Sequence, residues 1–324
     1  MSEMTDITSP GAVTARSTVP SSGGIVSRAL DSDLFHSFTR SNLVMLAALL
    51  TALMVAAAVL APLIAPHNPY DLGSLNLLDS NLPPAWVKDG DPRFLLGTDD
   101  QGRDILSTIL YGTRSSLAIS VLAVLMATII GVSLGLAAGY IGGYTDSAIM
   151  RIADVMLTFP AILIALMVNG VAQTIFKGKL AGGQFWILVA SIGLAFWVQY
   201  ARTVRSMTLV EKNKEYVQAA RLIGMGRTAI MFKHVLPNVL SPVLVIATIN
   251  LALAIITEAT LSFLGVGLPP NEPSLGTMIQ IGNKYLFSGS WWMVAFPGVT
   301  LAALVLAVNL LGDWLRDALN PRLR

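Results

Sequence analysis

The sequence predicts an all-α polytopic membrane protein with six transmembrane helices. Of its 324 residues, 54% are hydrophobic and only 12% are charged, whereas a soluble domain carries about 25% charged residues. The mean hydropathy is +0.67. Six apolar runs are each long enough to cross the hydrocarbon core of a bilayer, which takes about 20 residues of helix. Charged residues are too few to cover the water-exposed surface of a soluble protein of this length.

The apolar runs and the polar segments between them define the expected organisation of the chain. The spans are predicted at 43–65, 117–139, 148–172, 186–204, 239–264 and 291–311. The other expected segments are a largely disordered tail at 1–42, an outer loop at 66–116, a loop at 205–237 within the five-helix core 117–311, and a tail at 312–324. Within the outer loop, residues 99–116 are expected to form an amphipathic stretch at the membrane interface.

The basic residues predict the orientation of these spans. Six is an even number, so both termini lie on one side. If that side is the cytoplasm, about two thirds of the 21 lysines and arginines fall in cytoplasmic segments, as the positive-inside rule expects. The sequence therefore predicts cytoplasmic termini and places the loop at 205–237 on the cytoplasmic side.

Small residues in the second span predict a close helix contact. Gly131 and Gly135 form a Gly-x-x-x-Gly pattern, which lets two helix backbones approach each other. Packing against another helix of the same chain is the favoured interpretation, and a dedicated dimer face is the alternative.

Several classes of chemistry are excluded. The chain has no cysteine, and His36, His67 and His234 have no metal-ligand spacing. No phosphate-binding glycine loop or hydrolase motif occurs. The net charge of +2 gives no basis for a nucleic-acid surface. We therefore expect no catalytic residue, no metal and no cofactor bound by this chain.

Two polar residues inside the fifth span are candidates for a translocation path. Glu258 is a lone carboxylate, which is costly in a membrane unless it meets water or a hydrogen-bonding partner. It either borders an aqueous path or is a hydrogen-bonded structural acid, and the sequence favours neither. Asn250 could line the same path, although bonding between helices is its default role.

The loop before the fifth span is the most informative segment. It begins as a helix at Glu215 to Ile223, bends at Gly224 and Gly226, and is expected to end at Pro237. Its apolar residues are expected to face water, surrounded by basic ones: Leu222, Ile223, Met225, Ile230, Met231 and Phe232. An exposed apolar tip with a charged rim is typical of a protein-docking surface. An elbow resting on the bilayer is the alternative.

This loop resembles the Glu-Ala-Ala loop of binding-protein-dependent ABC importer permeases. Ala219, Ala220, Gly224, Leu236 and Pro237 match its pattern, while Gln218 and His234 stand where the family has Glu and Ile. Three further stretches resemble the peptide-transport branch of the family: 96–104, 139–143 together with 150–154, and 261–267. The resemblance covers about residues 40–324 and implies a type I ABC importer permease fold.

The resemblance also implies partners and a role for the loop. It implies a second homologous permease chain, two cytoplasmic ATP-binding subunits that hold ATP and Mg, an external substrate-binding protein, and the bilayer of a bacterial inner membrane. The residues implied to couple this chain to the ATPase are Gln218, Ala219, Ala220, Arg221, Leu222, Ile223, Gly224, Met225, Gly226, His234, Leu236 and Pro237.

The cargo and the energy source have alternatives. A dipeptide or oligopeptide is the cargo that the resemblance favours, and nickel chelates, opines or another small solute are handled by related permeases. An ion-coupled secondary transporter is the rival from another class. It would need ion-coupling groups at mid-membrane, for which Glu258 alone is the candidate.

Overall fold

Helices make up most of the part of the chain that the structure describes, apart from the loop at 65–104. A computed structural model describes residue 38 and residues 41–71, 73, 75–176 and 183–318. The helices are α1 (Asn42–Val59), α2 (Ala61–Ile64), α3 (Ile105–Ile141), α4 (Gly143–Leu157), α5 (Ala161–Phe176), α6 (Gly183–Glu211), α7 (Glu215–Leu222), α8 (Arg227–Ile230), α9 (Leu236–Phe263), α10 (Leu275–Tyr285) and α11 (Trp292–Ala318). Almost all of the predicted tail at 1–42, and residues 319–324 of the other tail, lie outside the described residues.

Within the described ranges, five helical runs are long and apolar enough to cross a membrane: α1, α3, α6, the continuous run Arg227–Phe263, and α11. Helices α4 and α5 make a sixth crossing if they count as one span, but they are bent by 98°. The span predicted at 148–172 is thus divided between two helices, which cross the membrane together only if the bent pair counts as one span. Pro160 lies at the break, where it lacks an N–H and disfavours helical geometry at Phe159.

The second predicted span is longer than expected. Helix α3 begins at Ile105, where the Asp104 side chain caps it by accepting from the Ser107 N–H at 2.9 Å. Residues 105–116 therefore belong to the same continuous helix as the span predicted at 117–139, and they are not a separate segment. Thr108 and Thr113 donate their hydroxyls to carbonyls of their own helix, both at 2.7 Å. Polar residues bonded in this way can be buried.

A glycine stripe joins α3 to α6 at the centre of the molecule. A Cβ at Gly131 would lie 2.5 Å from the Trp197 carbonyl oxygen, and one at Gly139 would lie 2.7 Å from Cβ of Thr208. A Cβ at Gly135 would collide with the carbonyl oxygen of Ala201. The predicted Gly-x-x-x-Gly contact is thus confirmed as packing within the chain. Buried apolar residues on both helices form the main core around it, among them Ile119, Leu188, Ile192 and Val204.

A second core joins α3, α9, α10 and α11. Its buried members include Ile105, Ile255, Leu275, Trp292 and Leu304. Helix α11 continues to Ala318, so the C-terminal tail predicted from residue 312 is helical at its start. The reason is packing, because Gly312 lies against Thr248 and the Trp314 ring meets the Phe38 ring edge-on at 5.3 Å.

The loop at 66–104 folds into a compact unit, called the lobe below. Gly97 and Gly102 have positive φ angles of 84° and 77°, which set two tight turns. Buried Arg103 pairs with Asp99 at 2.6 Å and donates to the carbonyl of Pro270 at 2.6 Å. The lobe is thereby fixed to the segment that follows α9.

Candidate functional site

The connection between α6 and α9, residues 212–235, is called the elbow. It contains the short helix α7, a turn at Gly224, the single-turn helix α8 and a π-helical turn at Met231–Val235. Helices α6 and α9 are both candidate spans. The elbow therefore connects the ends of two long helices.

Gly224 makes the bend. Its φ is 81°, the left-handed conformation that favours glycine. The N–H of Gly224 donates to the Arg221 carbonyl at 3.0 Å, and the N–H of Met225 donates to the Ala220 carbonyl at 3.1 Å. These two bonds form a Schellman motif, which ends α7 and satisfies its last carbonyls. The glycine bend predicted from the sequence is confirmed.

One side of the elbow is packed into the main core. Val217 and Ala220 on α7 are buried, and so are Ile230, Met231 and Val235 on the returning segment. Met225 is half-buried against the same core. The expectation that Met225, Ile230 and Met231 face water is therefore wrong. Because these side chains fix the elbow to the helices, it can move only with them.

The other side of the elbow is an exposed apolar tip. Leu222 is 89% exposed and Ile223 is 77% exposed, and Phe232 is exposed as well. Gln218 and Ala219 also lie on the outer surface, where the Gln218 amide donates to the Asn213 carbonyl at 3.1 Å. An apolar pair at the end of a rigid bend is suited to fill a groove in another protein.

Two arginines line a cavity of about 430 Å³ beside the tip. Its lining includes Arg221, Arg227 and Tyr140, and the Arg221 guanidinium lies 5.3 Å from the centre of the Tyr140 ring. Among the described residues, neither arginine makes an ion pair. Lys212 donates to the Gly139 carbonyl at 2.7 Å, which ties the elbow to the end of α3.

A polar cluster at the base of the elbow joins α6, α7 and α9. The Tyr216 hydroxyl donates to the Glu211 carboxylate, and the Asn238 amide donates to the Tyr216 oxygen at 3.1 Å. The same amide donates to the His234 carbonyl at 2.7 Å. Burial, followed by the contact with Glu211, raises the pKa of Tyr216 to about 12. The hydroxyl therefore keeps its proton and remains a donor over the physiological pH range.

Sequence reasoning gave Tyr216, Glu211 and Asn238 no role. Each is an ordinary loop or helix residue by type, and they come together only when α6 and α9 lie side by side. His234, at the family's isoleucine position, is half-buried, and its Nε2 has no hydrogen-bond partner among the described residues.

Pro237 does not close the elbow. The helix continues through it, since the Leu236 N–H donates to the Met231 carbonyl in a π turn and Pro237 then occupies the first turn of α9. A proline has no N–H to donate and its ring crowds the preceding turn, so a widened turn accommodates it. The expected end of the loop at Pro237 is therefore wrong, and half-buried Leu236 and exposed Pro237 belong to α9.

The two path candidates lie inside the packed chain. Glu258 is fully buried and accepts from the Ser262 hydroxyl at 2.7 Å, with Ser116 and Ser274 also beside its carboxyl group. Asn250 is buried about two helical turns earlier in α9, next to Tyr200. Neither side chain reaches the surface of the chain.

Two family models match the sequence. The model described as "Binding-protein-dependent transport system inner membrane component" matches residues 128–324, which include the elbow and more than half of the chain. The model described as "N-terminal TM domain of oligopeptide transport permease C" matches residues 32–84, which include α1.

Curated proteins and a solved structure are also similar. The dipeptide transport system permease protein DppC of Haemophilus influenzae is 42% identical over 261 residues, covering 81% of this chain and 84% of that protein. DppC of Escherichia coli K12 is 40% identical over 294 residues, covering 90% and 93%. The MetNI methionine ABC transporter, crystallised in inward-facing conformations, gives a TM-score of 0.51 at 19% identity over 66% of this chain and 96% of that chain.

These matches confirm the resemblance found in the elbow motif. The likeness to MetNI concerns the fold alone, which is that of an ABC transporter permease. The two relatives match 81% and 90% of this chain, and the larger family model includes the elbow. The chain belongs to the family of binding-protein-dependent transport system inner membrane components.

Proposed function

We propose that this chain is one of two homologous permease chains of an ATP-driven importer for dipeptides or oligopeptides. It forms half of the translocation pathway and hydrolyses nothing itself. Two ATP-binding subunits, which hold ATP and Mg, drive the cycle, and an external binding protein delivers the cargo. The names of the relatives support the peptide cargo, and the elbow supports coupling to a separate ATPase.

The observation that carries the proposal is the exposed Leu222–Ile223 tip on a packed elbow. The tip inserts into a groove of one ATPase subunit. When the ATPase pair closes on ATP, the elbow moves as a rigid body and takes α6 and α9 with it. ATP binding only has to favour one conformation of the assembly by a few kcal/mol to switch it.

The same proposal orients the chain in the bilayer of a bacterial inner membrane. With the elbow in the cytoplasm, and with α4 and α5 counted as one bent span, both termini are cytoplasmic. The lobe then lies outside, where it and the segment before α10 are available to the binding protein. Because the chain has no native cysteine, single cysteines in the lobe and the elbow can be labelled with an impermeant thiol reagent to test this.

The energy source is tested by dipeptide uptake into proteoliposomes that contain the complete transporter. Uptake should require ATP and the binding protein, and it should stop with a non-hydrolysable ATP analogue. Uptake driven by a proton or sodium gradient without ATP would instead favour the ion-coupled transporter. The structure gives that rival little support, since Glu258 is sealed inside the chain.

The cargo has its own test, because nickel chelates, opines and other small solutes remain alternatives to peptides. Mass spectrometry of the ligand that copurifies with the cognate binding protein identifies the cargo directly. A bound peptide is the expected result, and a chelate or an opine would overturn the peptide assignment while leaving the importer assignment intact.

A further inference from the structure

Two partly exposed tryptophans lie at the end of α11 that is remote from the elbow. Trp86 of the lobe meets the ring of Phe296 edge-on at 6.1 Å, and Trp291 meets the same ring at 5.8 Å. Phe296 is four residues into α11, so it lies about 6 Å along the helix from its start. Trp86 is 59% exposed although it stacks on a membrane-spanning helix.

Trp86 continues an apolar stripe of that helix. Phe296, Val299 and Leu306 follow one another at spacings of three and seven residues, which places them on one face of α11. Val299 is 68% exposed and Leu306 is 59% exposed. Since α11 is a candidate span, an uncovered apolar face at this depth is suited to contact the lipid chains. Trp86 therefore sits at the outer end of a membrane-facing stripe, at the level where the helix begins.

The lobe holds Trp86 there firmly. The indole N–H of Trp292 donates to the Thr98 carbonyl at 3.2 Å, and buried Arg103 ties the lobe to the segment after α9. The level of Trp86 relative to α11 is thus set by contacts inside the chain. Lys88, two residues further on, is exposed and makes no ion pair among the described residues.

We propose that Trp86 and Trp291 rest in the lipid headgroup region and anchor the lobe to the bilayer. An indole ring has an apolar body and one N–H donor, so its preferred place is the boundary between hydrocarbon and water. A lysine beside it can reach phosphate oxygens of the same headgroups. The partner is the phospholipid interface itself, reached as a direct continuation of the membrane-facing stripe on α11.

Spin labelling tests the proposal on the intact transporter in phospholipid nanodiscs. With cysteines of the partner chains removed, single nitroxide labels are placed by Trp86→Cys, Asn271→Cys and Leu306→Cys. Asn271 is an exposed polar residue and gives the aqueous reference, and Leu306 gives the hydrocarbon reference. The measured quantity is the ratio of a label's accessibility to oxygen to its accessibility to a nickel chelate. At position 86 this ratio should lie between the ratios at positions 271 and 306, and it should be several-fold higher than the ratio at position 271.

Two results would overturn the proposal. If the label at position 86 is as accessible to the nickel chelate as the label at position 271, the lobe lies in water. A label shielded from both reagents places it under a protein partner. Because Trp86→Cys removes a stacking contact, a second measurement uses the native residue. Lipids brominated near the headgroup should quench the wild-type fluorescence more than that of Trp86→Phe, and equal quenching would also overturn the proposal.

Discussion

At the scale of single residues, Gly224 and Gly226 are two positions apart in the elbow but differ in what they require. Gly224 has a φ of 81°, whereas Gly226 has a φ of −64° and a ψ of 149°, which any residue can adopt. An added Cβ meets no atom within 4 Å at either position. The difference between them is therefore purely one of backbone conformation.

Gly224→Ala should destabilise the elbow by about 1–2 kcal/mol, because a side chain in the left-handed region crowds its own backbone. Gly226→Ala is the matched control and should be neutral or slightly stabilising. Thermal unfolding of the purified transporter, followed by ATP-dependent uptake, compares the two. Equal losses in both variants would show that the bend at Gly224 has no special role.

Glu258 is a second residue whose role the structure makes testable. Its carboxylate accepts from the Ser262 hydroxyl inside the chain, which fits a structural acid better than a group on an aqueous path. Glu258→Gln keeps an acceptor and should leave assembly and uptake near wild type. Glu258→Leu leaves buried hydroxyl groups without their acceptor and should lower stability by about 1–3 kcal/mol. A Gln variant that assembles normally but transports poorly would place Glu258 on the path instead.

At the scale of helices, the α3–α6 contact depends on glycine at three successive turns of α3. A Cβ at Gly135 would meet backbone, which cannot move aside easily, while a Cβ at Gly170 on α5 meets nothing within 4 Å. An alanine at either position raises helix propensity, but only an alanine at Gly135 also disturbs packing, so comparing the two variants distinguishes the two effects.

Gly135→Ala should lower stability by about 1–3 kcal/mol through overpacking, and Gly170→Ala should be neutral or stabilising by up to about 1 kcal/mol. The midpoint of thermal aggregation in detergent, measured for both variants in the same complex, gives the comparison. If Gly135→Ala is as stable as Gly170→Ala, the helices are less tightly packed than described.

The sequence predicted the membrane helices well where apolar character alone decides them. It failed at Ile105 because the first turns of α3 contain buried threonines whose hydroxyls donate to backbone carbonyls one turn earlier. It failed at Pro237 because a π turn lets the helix continue past a proline. Three of the six apolar elbow residues that were expected to face water are at least half-buried. The burial of Ile230 and Met231 depends on which face of the elbow meets the core, and the sequence does not show this.

At the scale of the whole molecule, the elbow and the lobe lie at opposite ends of the helical bundle and differ in character. One end presents the elbow, with its exposed apolar tip, its contacts to α3 and α6, and two arginines that form no ion pair with any residue the structure describes. The other presents the lobe, fixed by Arg103 to the segment after α9. These long-range ties could not be read from the sequence, since they join residues far apart in the chain. In the proposed cycle, a rigid elbow at one end would transmit the movement of the ATPase subunits to the spans.

The most direct test of the elbow as the docking site is copurification of the ATPase subunits with a tagged form of this chain. The double variant Leu222→Asp/Ile223→Asp places two charges on the tip, and each lost anchor weakens docking by about 2 kcal/mol or more. Phe287→Asp, at an apolar residue that is 97% exposed near the other end, is the matched control. The ATPase subunits should be lost from the double variant and retained by Phe287→Asp, and retention by both would contradict the docking role of the elbow.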